Sequence, residues 1–166
     1  MSVGLTAEIE GDLAAIAALN ALEHLDEDEL LTAIGAEGEQ QSRRRIEEEK
    51  TGPDGSPWPK NWGGTPTLMR TGRNLRDSLA YNVLSGAVEW GASWEWAHVH
   101  QDGMVITPRY GQALKFWFVQ GGHVQFVTVK SVTIPPRPFI GLSDANKREL
   151  VEVVTDFLHA VIGGAA

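Results

Sequence analysis

Apolar and polar positions alternate at the start of the chain. Val3, Leu5, Ala7 and Ile9 are apolar, with Thr6, Glu8 and Glu10 alternating with them. A period of two marks a half-buried strand, and Gly11 ends it. The spacing then turns helical. Asp12 is placed to cap a helix running to about Glu23, with Leu13, Ile16, Leu19 and Leu22 set among alanines. A second helix is predicted over Asp28–Lys50. The acidic run Asp26-Glu27-Asp28-Glu29 sits at its positive end, where the helix dipole favours it. Its buried seam reads as Leu30, Leu31, Ile34, Gly38, Ser42 and Ile46. Gly38 and Ser42 lower helix propensity, so close approach of another backbone is the expected reason for them. Arg43-Arg44-Arg45 stands four residues before Glu47-Glu48-Glu49, which reads as a solvated, charge-balanced face.

Periodicity stops at residues 51–66, a stretch rich in glycine, proline and tryptophan. Pro53, Pro57, Pro59 and Pro66 exclude regular structure there. Thr71 is expected to cap a short helix to about Ser78, with Leu75 and Leu79 facing inward. A hairpin follows: Tyr81, Val83 and Ser85 alternate with their neighbours, Ser85-Gly86 turns, and Val88 and Trp90 return. Residues 94–101 read as a helical turn or short helix with Trp94, Ala97 and His98 near one face. A stronger hairpin signal comes next, Leu114–Val119 and Val124–Val129 joined across Gly121-Gly122. Apolar residues on both faces of its first strand place it between two layers, or under a neighbouring subunit. Trp90 and Trp117 are expected to fill the core. Ser143 caps a last helix with the stripe Leu150, Val154, Phe157, Leu158 and Val161, stopped at Gly163-Gly164. The sum is one α+β domain over residues 1–166. Its sheet is mostly antiparallel, with β-hairpins packed against two or three long helices.

Composition narrows the field. At 166 residues, 42% apolar and 22% charged, the chain can bury a real core. No apolar run is long enough to span a bilayer, so no membrane partner is expected. The N-terminus lacks a basic stretch followed by an apolar one, so it does not read as a signal peptide. With no cysteine, disulfides and thiolate-bound metals are excluded, which suits a reducing cytoplasm. The net charge of −8 argues against tightly or sequence-specifically held nucleic acid, which needs basic patches. It serves solubility, or it lines a passage that repels DNA.

The segment at 133–142 differs from everything before it. Pro135, Pro136 and Pro138 forbid helix and withdraw three backbone donors. They make a stiff strap that can project Arg137 and Phe139 at a fixed place. This segment, Thr133-Ile134-Pro135-Pro136-Arg137-Pro138-Phe139-Ile140-Gly141-Leu142-Ser143-Asp144, resembles a signature of the phage virion morphogenesis family, the Mu-type G and tail completion S proteins. Three further segments are similar to that family, in the same order: Pro53–Trp58, Leu68–Ser78 and Ala97–Gly103. The resemblance implies a tail-terminator-like α+β fold and a structural role at the phage head–tail junction. It also implies a ring built from copies of the chain, meeting a head-side connector, a tail tube protein or both. Assembly would take place in the host bacterial cytoplasm. Pro136 stands where the family more usually has a small residue, and Trp94-Glu95-Trp96 is richer in tryptophan than expected.

Catalytic constellations are not legible. No G-x-S-x-G or G-x-x-x-x-G-K-[ST] occurs. His98-x-His100 with Asp102 is the one candidate metal set, the basis of an alternative reading as a small hydrolase or nuclease. On a helix the two histidines diverge, and only His100-Gln101 fits the family's pattern. No cofactor is expected. The candidate interface residues are Trp58, Trp62, Trp94 and Trp96 in loops, Gly121 and Gly122 at the hairpin tip, and Arg137, Pro138 and Phe139 in the strap. Aromatics of this kind are either tucked onto the core or held for a partner.

Overall fold

The computed structural model describes residues 12–61, 67–69 and 74–164. The strand expected at residues 3–10, Trp62 and the cap at Thr71 lie outside them. The described part is α+β, with four α-helices and three two-stranded antiparallel sheets. Helix α1 spans Asp12–Glu23 and α2 spans Glu27–Arg44. The Asp26 side chain accepts from the Glu29 amide at 3.0 Å, which holds the first turn of α2. Past Arg44 the helix widens into one π-type turn, Arg45–Glu49, and Lys50 closes it in the left-handed conformation. Lys50 Nζ also donates to the Ile46 carbonyl.

The first hairpin, β1 (Leu79–Leu84) and β2 (Ala87–Ala92), packs on α2. Two glycines set that approach. A Cβ on Gly38 would lie 2.5 Å from the Trp90 ring, and one on Gly35 would lie 2.6 Å from Tyr81. The close neighbour at Gly38 is thus an indole and not the backbone that the sequence suggested. The other side of α2 meets α4 (Asp144–Gly163), and α1 packs on α4 as well. Ser143 and Asn146 cap α4 reciprocally: the Asn146 amide donates to Ser143 Oγ, and the Ser143 amide donates to Asn146 Oδ1.

Between these parts lies a short middle segment. Helix α3 (Ala97–Asp102) leads through Gly103 into β3 (Met104–Ile106), which pairs with β6 (Val132–Ile134). Gly103 is required there: its φ is +75°, and a Cβ would sit 2.8 Å from the Pro136 nitrogen. β4 (Leu114–Gln120) and β5 (His123–Val129) form the second hairpin in the register Trp117↔Phe126 and Val119↔Val124. Among the described residues, the buried core cluster is Ile46, Trp58, Leu75, Leu79, Ala97 and Phe139.

The second hairpin corrects one expectation. It does not lie between two layers. Its dense contacts are within itself, and one of its faces is open. Trp117, expected in the core, is 56% exposed. Alternation along a strand says which residues share a face, not whether anything covers that face.

Candidate interaction surface

The strap is clamped along its length. Its start is strand β6, and its backbone then runs across the end of α3. The Arg137 amide donates to the His100 carbonyl at 2.7 Å. The Phe139 and Ile140 amides both donate to Gln101 Oε1, at 3.0 and 3.1 Å, and Gln101 Nε2 returns a bond to the Ile140 carbonyl. One glutamine side chain thus reads the strap backbone as a neighbouring strand would. Arg45 completes the clasp from α2, donating to the Phe139 and Gly141 carbonyls at 3.1 and 2.9 Å and to Asn146 Oδ1 at 2.5 Å.

This arrangement corrects the picture of a projecting anchor pair. Phe139 is 2% exposed, Arg137 is buried, and Arg137 Nε donates to the Pro59 carbonyl. Phe139 anchors the strap in the core, and Arg137 ties the strap to Pro59. With three prolines in the strap, few amides remain to anchor it by pairing, so side chains do it. Trp58 is buried in the same cluster, the core alternative of the two open to it. Pro138 and Trp94 are half-buried, whereas Trp96, Gly121 and Gly122 are exposed.

Of the three four-residue pairings read from the arginine–glutamate run, Arg45 with Glu49 forms, at 3.8 Å, while Arg43 and Arg44 pair elsewhere. Arg43 pairs backwards with Glu39 at 2.7 Å. Arg44 reaches Glu49, five residues on, and binds Glu149 of α4 through both carboxylate oxygens. Arg45 is buried at 1% exposure. Arg45 continues the inward helical spacing of Gly38, Gln41 and Ser42, and the π-type turn that starts at it brings Glu49 within reach of Arg44. Gln41, also buried, donates to the Asn146 carbonyl and to Glu149. Sequence reading missed Gln41, Arg45 and Gln101. For the first two, the helical spacing Gly38–Gln41–Ser42–Arg45 carried the signal.

His100, not His98, lies on the Trp94 side of α3, with ring centroids 5.6 Å apart and planes 20° apart. His98 is exposed. Burial, and then the Arg137 charge, push the His100 pKa below its ordinary value. A cation beside the imidazole disfavours a metal ion there. Among the described residues no group of three or more His, Asp or Glu is placed to hold one. His100 and Arg137 instead line a cleft of about 250 Å3 with Phe116, Ile134 and Pro135.

The open surface is the outward face of the β4–β5 hairpin. Residues 115, 117 and 119 share a face with their partners 128, 126 and 124. Phe126 is 83% exposed, and Trp117, Val119 and Val124 are exposed beside it. Lys115 stands at the end of this patch. An exposed apolar patch centred on two aromatic rings is the usual mark of an interaction site. Charge is unevenly divided too. From Gly103 to Ser143 the sequence has four basic residues and no acidic one, while the whole chain carries −8.

A sequence model of the phage virion morphogenesis family matches residues 7–159. The chain belongs to the phage virion morphogenesis family. No curated protein and no solved structure gives a significant match. In this family member the strap is an internal clasp, and among the described residues the β4–β5 hairpin exposes aromatic side chains. Among the described residues, no helix is long and apolar enough to cross a membrane.

Proposed function

We propose that this protein is a structural component of the phage particle at the head–tail junction. It acts in tail completion or the neck, as a ring of the tail-terminator kind built by self-association. Family membership supports the structural role. The observation that carries the rest is the uncovered β4–β5 face, which exposes Trp117 and Phe126 on a chain whose core is already closed by its own strap. Leaving two large aromatic rings in water forgoes about 1.5–3 kcal/mol of burial for each, so a surface of this kind is expected to be covered in the assembled state. The partners are further copies of the chain, with a head-side connector or tail tube protein as the next ring. Imaging of particles made without this protein tests the placement. Full heads without tails, beside free tails, are expected. Absent or malformed heads would move the protein to capsid building. Mass spectrometry of purified virions tests its presence in the particle, and absence there would make it an assembly helper.

A further inference from the structure

Two of the apolar faces exposed among the described residues stand on different kinds of element. The first is the outward hairpin face. The second is on α1, which turns three of its alanines inward: Ala17, Ala18 and Ala21 are half-buried, while Leu13, Ile16 and Leu19 are exposed, Leu13 at 79%. An amphipathic helix on a lone globule would do the reverse. The two faces also match in length. Seven strand residues extend over about 23 Å, and the twelve residues of α1 rise about 18 Å.

Charge sets the pairing. The hairpin belongs to the stretch without acidic residues, with Lys115 on the apolar face itself and Lys130 just past its end. The α1 stripe ends at Glu23 and the exposed run Asp26-Glu27-Asp28-Glu29. Hairpin against hairpin would bring lysines together, and α1 against α1 would bring carboxylates together. Hairpin against α1 pairs opposite charges and covers both apolar faces with one contact.

Resting on the self-association proposed above, we infer that the occupant of the hairpin face is a second copy of this chain. Trp117 and Phe126 of one copy seat along Leu13, Ile16 and Leu19 of the next, and Lys115 faces the acidic corner between α1 and α2. The contact is heterologous, so an open row of copies keeps one free face of each kind, one at either end, and the association propagates until a ring closes.

Sedimentation velocity of the purified chain tests this with Phe126→Asp and Leu19→Asp. Both side chains are exposed, and circular dichroism verifies that each variant folds. Each variant alone is expected to associate at least roughly tenfold more weakly than wild type. Mixed together they are expected to form a one-to-one dimer that grows no further, because each supplies the face that the other lacks. Wild-type association by Leu19→Asp, or no dimer in the mixture, overturns the pairing. If wild type forms multimers and both variants do so equally, this assignment falls while self-association stands. A wild type that stays monomeric at every concentration removes both.

Discussion

Arg45 is the residue on which the strap depends most. Its guanidinium is buried and bonds two strap carbonyls and Asn146, while Glu49 lies 3.8 Å from its Nε. The planar fork suits three acceptors held in fixed directions, which a lysine ammonium cannot match. Arg45→Met takes the guanidinium donor from the Phe139 and Gly141 carbonyls and leaves Asn146 Oδ1 with its Ser143 bonds alone. It is expected to cost about 1–3 kcal/mol for each buried acceptor left without a donor. A urea unfolding curve measures this, and Arg45→Lys should recover only part of the loss. His100 gives a second test at this scale. Its folded pKa is depressed below the ordinary 6.5 by burial and by Arg137. Below that ordinary value the unfolded chain binds a proton that the folded chain resists. Stability is therefore full above pH 6.5 and is lost as pH falls through the lower folded value. His100→Asn is expected to flatten the dependence of the urea midpoint on pH across that window. An unchanged slope would mean that His100 is not the group responsible.

At the scale of elements, α2 shows how much of the fold was legible and where legibility stopped. Its start, its acidic first turn and the inward positions of Gly38, Ser42 and Ile46 follow from spacing and capping alone. So do both hairpin turns and the Ser143 cap, because turn chemistry is local. The widening at Arg45–Glu49 was not legible, since a π-type turn depends on what the helix end must reach, here Arg44 by Glu49. The open side of β4–β5 was not legible either, because alternation is the same whether a face is covered or bare. The clasp at Gln101 joins residues about forty positions apart, and no local pattern marks it. Gly38 supplies the test at this scale. Alanine is favoured over glycine in a helix by about 1 kcal/mol, so an exposed site would be stabilised. Here the new methyl would meet the Trp90 ring at 2.5 Å. Gly38→Ala is expected to be net destabilising by about 1–3 kcal/mol, as overpacking is, with the thermal midpoint lowered. A raised midpoint would show that β2 moves aside freely.

For the whole molecule, the unequal division of charge has consequences that a net value hides. The chain carries −8, yet residues 103–143 carry only positive side chains, so the remainder is more acidic than the total suggests. A uniformly acidic protein repels its own copies, and added salt relieves that repulsion. A protein with a basic hairpin lobe and an acidic helical end is attracted in one orientation and repelled in others, and added salt weakens the attraction. The two cases predict opposite signs. If oriented charge guides assembly, raising sodium chloride from about 0.05 M to about 0.5 M, which shortens the screening length from above 10 Å towards a few ångström, should lower the association constant. The aromatic and leucine contacts are insensitive to screening, so the loss should be partial. Sedimentation equilibrium at several salt concentrations measures the slope. Tighter association at high salt would mean that net repulsion governs assembly and that the hairpin face pairs by apolar contact alone.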